Sequence, residues 1–84
     1  MPNNQSAKKR LRQSDKRRVR NRATRSEIRT RTRSLLDMQS KSEAETALRE
    51  LSSTLDRAAQ RGIIPSNAAS RQKARIAQYV AGLD

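Results

Sequence analysis

Apolar positions along this chain fall into two regimes. From Ile28 onward they recur at steps of three and four. Ile28, Thr32, Leu35, Leu36 and Gln39 form one set, Ala44, Ala47, Leu48, Leu51, Leu55, Ala58 and Ala59 a second, and Ala69, Ile76, Val80 and Leu83 a third. That spacing puts each set on one side of an α-helix, and such stripes are buried by facing one another. Before Ile28 the same side of the first helix continues backwards as Asn21, Arg17, Ser14 and Arg10, all polar. The first half of the chain therefore has nothing to offer a protein core and must run out alone.

Helix-breaking residues divide the chain in the same way. No Gly or Pro occurs between residues 6 and 61, whereas Gly62 and Pro65 stand together between the second and third stripes. The pattern predicts a flexible arm over residues 1–5, a first helix over 6–41 capped by Ser6, and a second over 42–61. Ser42 with Glu45 would open the second helix as a capping box. A third helix over 66–81 would be capped by Ser66 or Asn67. Gly62, with Arg61 before it and Ile63 after it, suits a Schellman ending in which glycine takes the left-handed conformation. The expected fold class is all-α: a three-helix bundle with a long, protruding basic first helix, forming a single domain over 1–84.

Composition makes that bundle thin. The 84 residues include one tyrosine, no phenylalanine and no tryptophan, and only thirteen large apolar residues follow from Ile28 to the end. The bulky side chains that usually dominate core energetics are missing, and a chain this short buries a smaller fraction of its surface than a domain of ordinary size. A partner is expected to complete the fold.

Charge says what kind of partner. Twenty Lys and Arg stand against eight Asp and Glu, a formal net charge of +12. Residues 1–42 hold fourteen basic and three acidic residues, net +11; residues 43–84 hold six and five, net +1. Self-repulsion of that size calls for a polyanion, and nucleic acid is the expected one. Residues 8–33, KKRLRQSDKRRVRNRATRSEIRTRTR, contain thirteen basic residues and two acids. At 100° per residue Arg18, Arg22, Arg25, Arg29 and Arg33 form one ridge. Lys9, Lys16, Arg20 and Arg31 fall near the opposite side, Lys8 and Arg12 lie between, and Arg10 and Arg17 occupy the remaining face. A helix with guanidinium groups on several sides suits insertion between RNA segments, and the excess of arginine over lysine favours bidentate phosphate contacts. Asn21, Ser26 and Thr30 are candidate hydrogen-bonding neighbours among them. A second, smaller set comprises Arg61, Asn67, Arg71, Lys73 and Arg75, with Arg57 nearby, and could grip another RNA element. With Tyr79 the sole aromatic residue, base stacking on aromatic rings is not the expected mode; recognition of folded RNA by shape, phosphates and 2′-hydroxyls is.

Other classes of function fit poorly. Histidine and cysteine are both absent, no glycine-rich phosphate loop occurs, and the carboxylates are dispersed. No nucleophile and base, metal site, cofactor or small-molecule substrate is expected, and no enzymatic activity. No apolar run approaches the roughly 18 residues of a membrane span, the N-terminus lacks an apolar signal core, and a cytoplasmic location is expected. The main alternative is a basic-region DNA-binding protein, because Asn21 and Arg29 stand eight apart. Seven-residue steps from Leu36 then reach Glu43, Glu50 and Arg57, which cannot form a dimer seam. A membrane-surface helix would need an apolar face, and residues 8–25 offer only Leu11, Val19 and Ala23.

Nearly the whole chain resembles the S-twenty family of bacterial small-subunit ribosomal proteins. The first-helix likeness lies in SAKKR at Ser6 to Arg10, KRR at Lys16 to Arg18, NR at Asn21 and Arg22, RS at Arg25 and Ser26, and RT at Arg29 and Thr30. A second lies in LDRAAQRGII, Leu55 to Ile64, followed by Asn67, Ala69, Arg71, Lys73 and Arg75. The resemblance implies a three-helix bundle, monomeric within the ribosome, bound directly to small-subunit ribosomal RNA at its 5′ domain and long penultimate helix.

Overall fold

A computed structural model describes residues 3–84; Met1 and Pro2 of the expected arm lie outside the described residues. Three helices follow in order: α1 (Asn3–Asp37), α2 (Lys41–Gln60) and α3 (Ser66–Ala81). Short connections make successive helices neighbours, and α2 packs most extensively on α3, then α1 on α2. The described residues measure 66 × 20 × 13 Å along the principal axes. This elongation follows from α1, whose 35 residues span about 52 Å at roughly 1.5 Å each.

The three stripes meet as their spacing requires. Leu35 of α1, Leu51 and Leu55 of α2, and Ile76 of α3 are the largest fully buried side chains. Ile28, Ala44, Ala58, Ile63, Ala69 and Val80 complete the buried cluster, with Leu36, Leu48, Tyr79 and Leu83 packed around it. The small residues Ala44, Ala58 and Ala69 leave room for the helices to approach, which suits a core without large rings. Thr54, a polar residue between Leu51 and Leu55, is also buried; its hydroxyl donates to the Glu50 carbonyl at 3.0 Å, so its burial leaves no polar atom unpaired.

The Gly62 turn has the anticipated form. Gly62 adopts φ +73°, its N–H donates to the Ala59 carbonyl at 3.1 Å, and the Ile63 N–H donates to the Ala58 carbonyl at 2.9 Å. These are the two bonds of a Schellman motif, and Ile63 packs into the core beside Ala58.

The helix boundaries differ from the sequence reading in four places. First, α1 includes Asn3 to Gln5 and passes through Ser6 without a cap, because nothing between Asn3 and Ser6 breaks a helix. At its other end α1 stops at Asp37 instead of residue 41. The Met38 N–H turns back to the Leu35 carbonyl at 3.0 Å, and the Met38 carbonyl accepts the Tyr79 hydroxyl at 2.7 Å. A tertiary partner thus takes the acceptor that a continuing helix would have used, and Gln39 lies exposed in the connection instead of on the buried face. Third, α2 begins one residue earlier, with Ser40 as its N-cap in extended conformation (φ −84°, ψ 121°). That shift puts Ser42 inside the first turn, where its carbonyl accepts the Thr46 hydroxyl at 3.2 Å, and the expected capping box does not form. Fourth, Pro65 caps α3, not Ser66 or Asn67. Its ring fixes φ at −64°, an extended ψ of 145° leads into the helix, and its carbonyl accepts the Ala69 N–H at 3.1 Å.

Candidate nucleic-acid interface

Helix α1 has two halves with different surroundings. Every residue from Gln5 to Arg20 is exposed. Leu11 and Val19, the only large apolar residues there, are 62% and 68% exposed. Lys8, Lys9, Arg10, Arg12, Lys16, Arg17, Arg18, Arg20 and Arg22 are all exposed, and none forms an ion pair among the described residues. The rod formed by this half presents cations around its whole circumference, with Asp15 its single acid. Asn21 and Thr24, half-buried, mark the point where the rod joins the bundle.

At that junction the fold brings together residues that are distant in sequence. Arg17, Arg20 and Asn21 share a hollow with Thr24, Glu27, Arg61 and Ile63. An adjoining hollow adds Arg57, so that arginines from α1 and α2 converge beside the Gly62 turn. The only acid there, Glu27, is engaged by Arg31 at 3.0 Å, and Arg31 also reaches Glu50 at 3.6 Å. Arg61 therefore joins the first-helix cations and not the third-helix set with which sequence order groups it. Arg57, outside the candidate set, belongs here too; its position one helical turn before Arg61 was the signal for it.

Along the bundle, Arg25, Arg29 and Arg33 border a groove between α1 and α3 with Ile28, Thr32, Leu36, Asp37, Ile64 and Gln72. Arg25 is partly committed to the fold: its Nε and Nη2 donate to the Ile63 carbonyl at 3.4 and 3.3 Å. Ser26 and Thr30 are exposed on the same helix. Arg71 and Arg75 line a neighbouring hollow that shares Thr32 and Gln72 with this groove. Gln72, which the sequence did not single out, donates through Nε2 to the Thr32 hydroxyl at 2.9 Å, and Thr32 in turn donates to the Ile28 carbonyl at 2.7 Å. The third-helix cations thus adjoin the lower end of the first-helix ridge.

Besides Arg25, two further members of the candidate set have partners inside the protein. Lys73 pairs with Asp56 of α2 at 2.8 Å, an exposed contact worth about 0–1 kcal/mol that a phosphate can replace. The Asn67 side-chain oxygen accepts the Ala68 N–H at 3.0 Å. Among the described residues no cluster of acidic side chains is arranged to hold a metal ion, and no helix is long and apolar enough to cross a membrane.

Residues 2–81 match the family described as ribosomal protein S20. The chain is similar to the small ribosomal subunit protein bS20 of Salinibacter ruber, at 40% identity over 84 residues that cover all of both chains. It is 49% identical to that of Treponema denticola over 76 residues, covering 87% of this chain and 85% of the relative. With that of Rhodopirellula baltica it shares 47% identity over 79 residues, covering 90% and 88%.

Proposed function

Because the chain belongs to the ribosomal protein S20 family, we propose that it is a structural constituent of the small ribosomal subunit that binds small-subunit ribosomal RNA and braces its fold through phosphate contacts. It works by binding and performs no catalysis, and its place is in the cytoplasm with the ribosome. The observation that carries the phosphate mechanism is the rod: residues 5–20 lie wholly outside the core, and cations on all sides of one helix serve a surface enclosed by polyanion. The candidate residues of α1 enter between RNA segments, while Arg61, Arg71 and Arg75, with Lys73 once released from Asp56, contact the strands that pass the bundle. The chain acts as one domain and one copy. The RNA elements are the 5′ domain and the long penultimate helix, the regions implied by the family resemblance.

Binding to small-subunit RNA measured across salt concentrations, together with hydroxyl-radical footprinting, tests this reading. Affinity should fall steeply with salt, and protection should appear in both RNA regions. A salt-independent affinity would remove the phosphate mechanism, and a footprint confined to one region would remove the bracing role.

A further inference from the structure

Most of the cationic surface of this protein can be understood as a phosphate contact, but one place on it cannot. The groove between α1 and α3, about 580 Å³ in volume, lies within the range of roughly 300–1,000 Å³ found for small-ligand sites. Its floor is apolar, formed by Ile28, Leu36 and Ile64, and Arg29 and Arg33 stand on its rim with no ion-pair partner among the described residues. Asp37 closes the end of the groove. It is the last residue of α1, where the helix dipole disfavours a carboxylate, and it too pairs with no cation among the described residues although Arg33 precedes it by one turn. A carboxylate in this position repels phosphate. Its chemistry suits a ligand that is anionic at one end and rich in N–H donors at the other.

Resting on the RNA-binding reading above, we infer that this groove receives one unstacked guanine nucleotide of the RNA. The base lies against the apolar floor of Ile28, Leu36 and Ile64, so that burial of its face needs no aromatic residue. Its phosphate meets Arg29 and Arg33. Guanine alone among the four bases presents two adjacent donors, N1–H and the 2-amino group, on its pairing edge, and a carboxylate accepts both in parallel. The protein would then read one base directly while holding the rest of the RNA by its backbone.

Asp37→Asn separates the two kinds of contact by sign. Removing an acid from a surface that touches only phosphates should tighten RNA binding. If the carboxylate holds a guanine, the substitution should instead weaken binding about tenfold, the scale of a lost bidentate base contact. Kethoxal, which attacks the pairing edge of unpaired guanines, reads the base itself. Wild-type protein bound to small-subunit RNA should protect one guanine that Asp37→Asn leaves reactive. Replacing that guanine by inosine, which lacks the 2-amino group, should cost wild type a similar factor and cost the variant little more. Tighter binding by Asp37→Asn, no guanine protected by wild type, additive losses, or a second copy of the protein in the groove seen as concentration-dependent dimerisation would each overturn the inference. Failure of the phosphate reading would look different: wild type itself would bind without salt dependence.

Discussion

The two halves of α1 are continuous in backbone and opposite in what holds them in place. Residues 28–37 are helical because one face, through Ile28 and Leu35, is buried against α2 and α3. Residues 5–20 have no buried face, and their helicity rests on local propensity working against like-charge repulsion between neighbouring turns. The same secondary structure thus has two sources of stability, one in tertiary burial and one in local propensity alone. Basic clusters in small proteins divide along this line, because a cation beside a core acts on a fixed frame while a cation on an unsupported helix must order its own frame as it binds.

The largest expected effect breaks the supported side of this contrast. Leu51→Asp or Leu55→Asp places an unpaired charge at a fully buried site and should cost at least about 3 kcal/mol, enough to abolish the bundle's cooperative melt. Arg18→Ala should leave that melt unchanged. A harmless Leu51→Asp would mean that the core is elsewhere.

Neutralising Arg12, Arg18 and Arg22 together tests the unsupported side, with Arg25 left alone because it is tied to the Ile63 carbonyl. The salt dependence of RNA binding should flatten by roughly 0.7 to 0.9 in log-log slope for each phosphate that is no longer neutralised. An unchanged slope would show that the rod does not touch phosphate. Circular dichroism then compares the halves directly. Free protein at moderate salt should show less helix than its complex with RNA, the gain falling in residues 5–20. Equal helicity free and bound would mean that the rod needs no support.

Two smaller effects sharpen the boundary of the supported region. Gly62→Ala forces an L side chain to φ +73° and should cost about 1–2 kcal/mol in the melt even though its Cβ meets no neighbour. Tyr79→Phe removes the hydroxyl that binds the Met38 carbonyl and should cost about 0.5–1.5 kcal/mol. A normal melt in the first case would show that the turn can adopt another form, and in the second that water replaces the hydroxyl.

What the sequence made legible follows the same division. The stripes from Ile28 to Val80 and the glycine stop are local patterns, and the buried cluster and the Schellman bonds follow them, with Gln39 the one stripe position that lies exposed. The end of α1 was not legible, because it depends on Tyr79 reaching a carbonyl 41 positions away. The capping box of α2 failed for a related reason: once α1 stopped at Asp37, the start of α2 moved and Ser42 lost its capping position. The cationic character of the site could be read from charge counts alone. Its grouping could not, since only packing brings Arg61 beside Arg17 and Arg20, sets Lys73 against Asp56, or frames Asp37 and Gln72 in one groove.

The rod also has a mechanical meaning. A single helix is roughly 10–12 Å across with its side chains, and nothing from Gln5 to Arg20 widens it, whereas three packed helices make a head too broad to follow. The molecule is shaped like a nail. If the proposed RNA binding holds, a segment this narrow can thread end-on into a gap between strands and take its helical form there, so that the strands need not close around it afterwards. The broader head would then fix the depth of insertion.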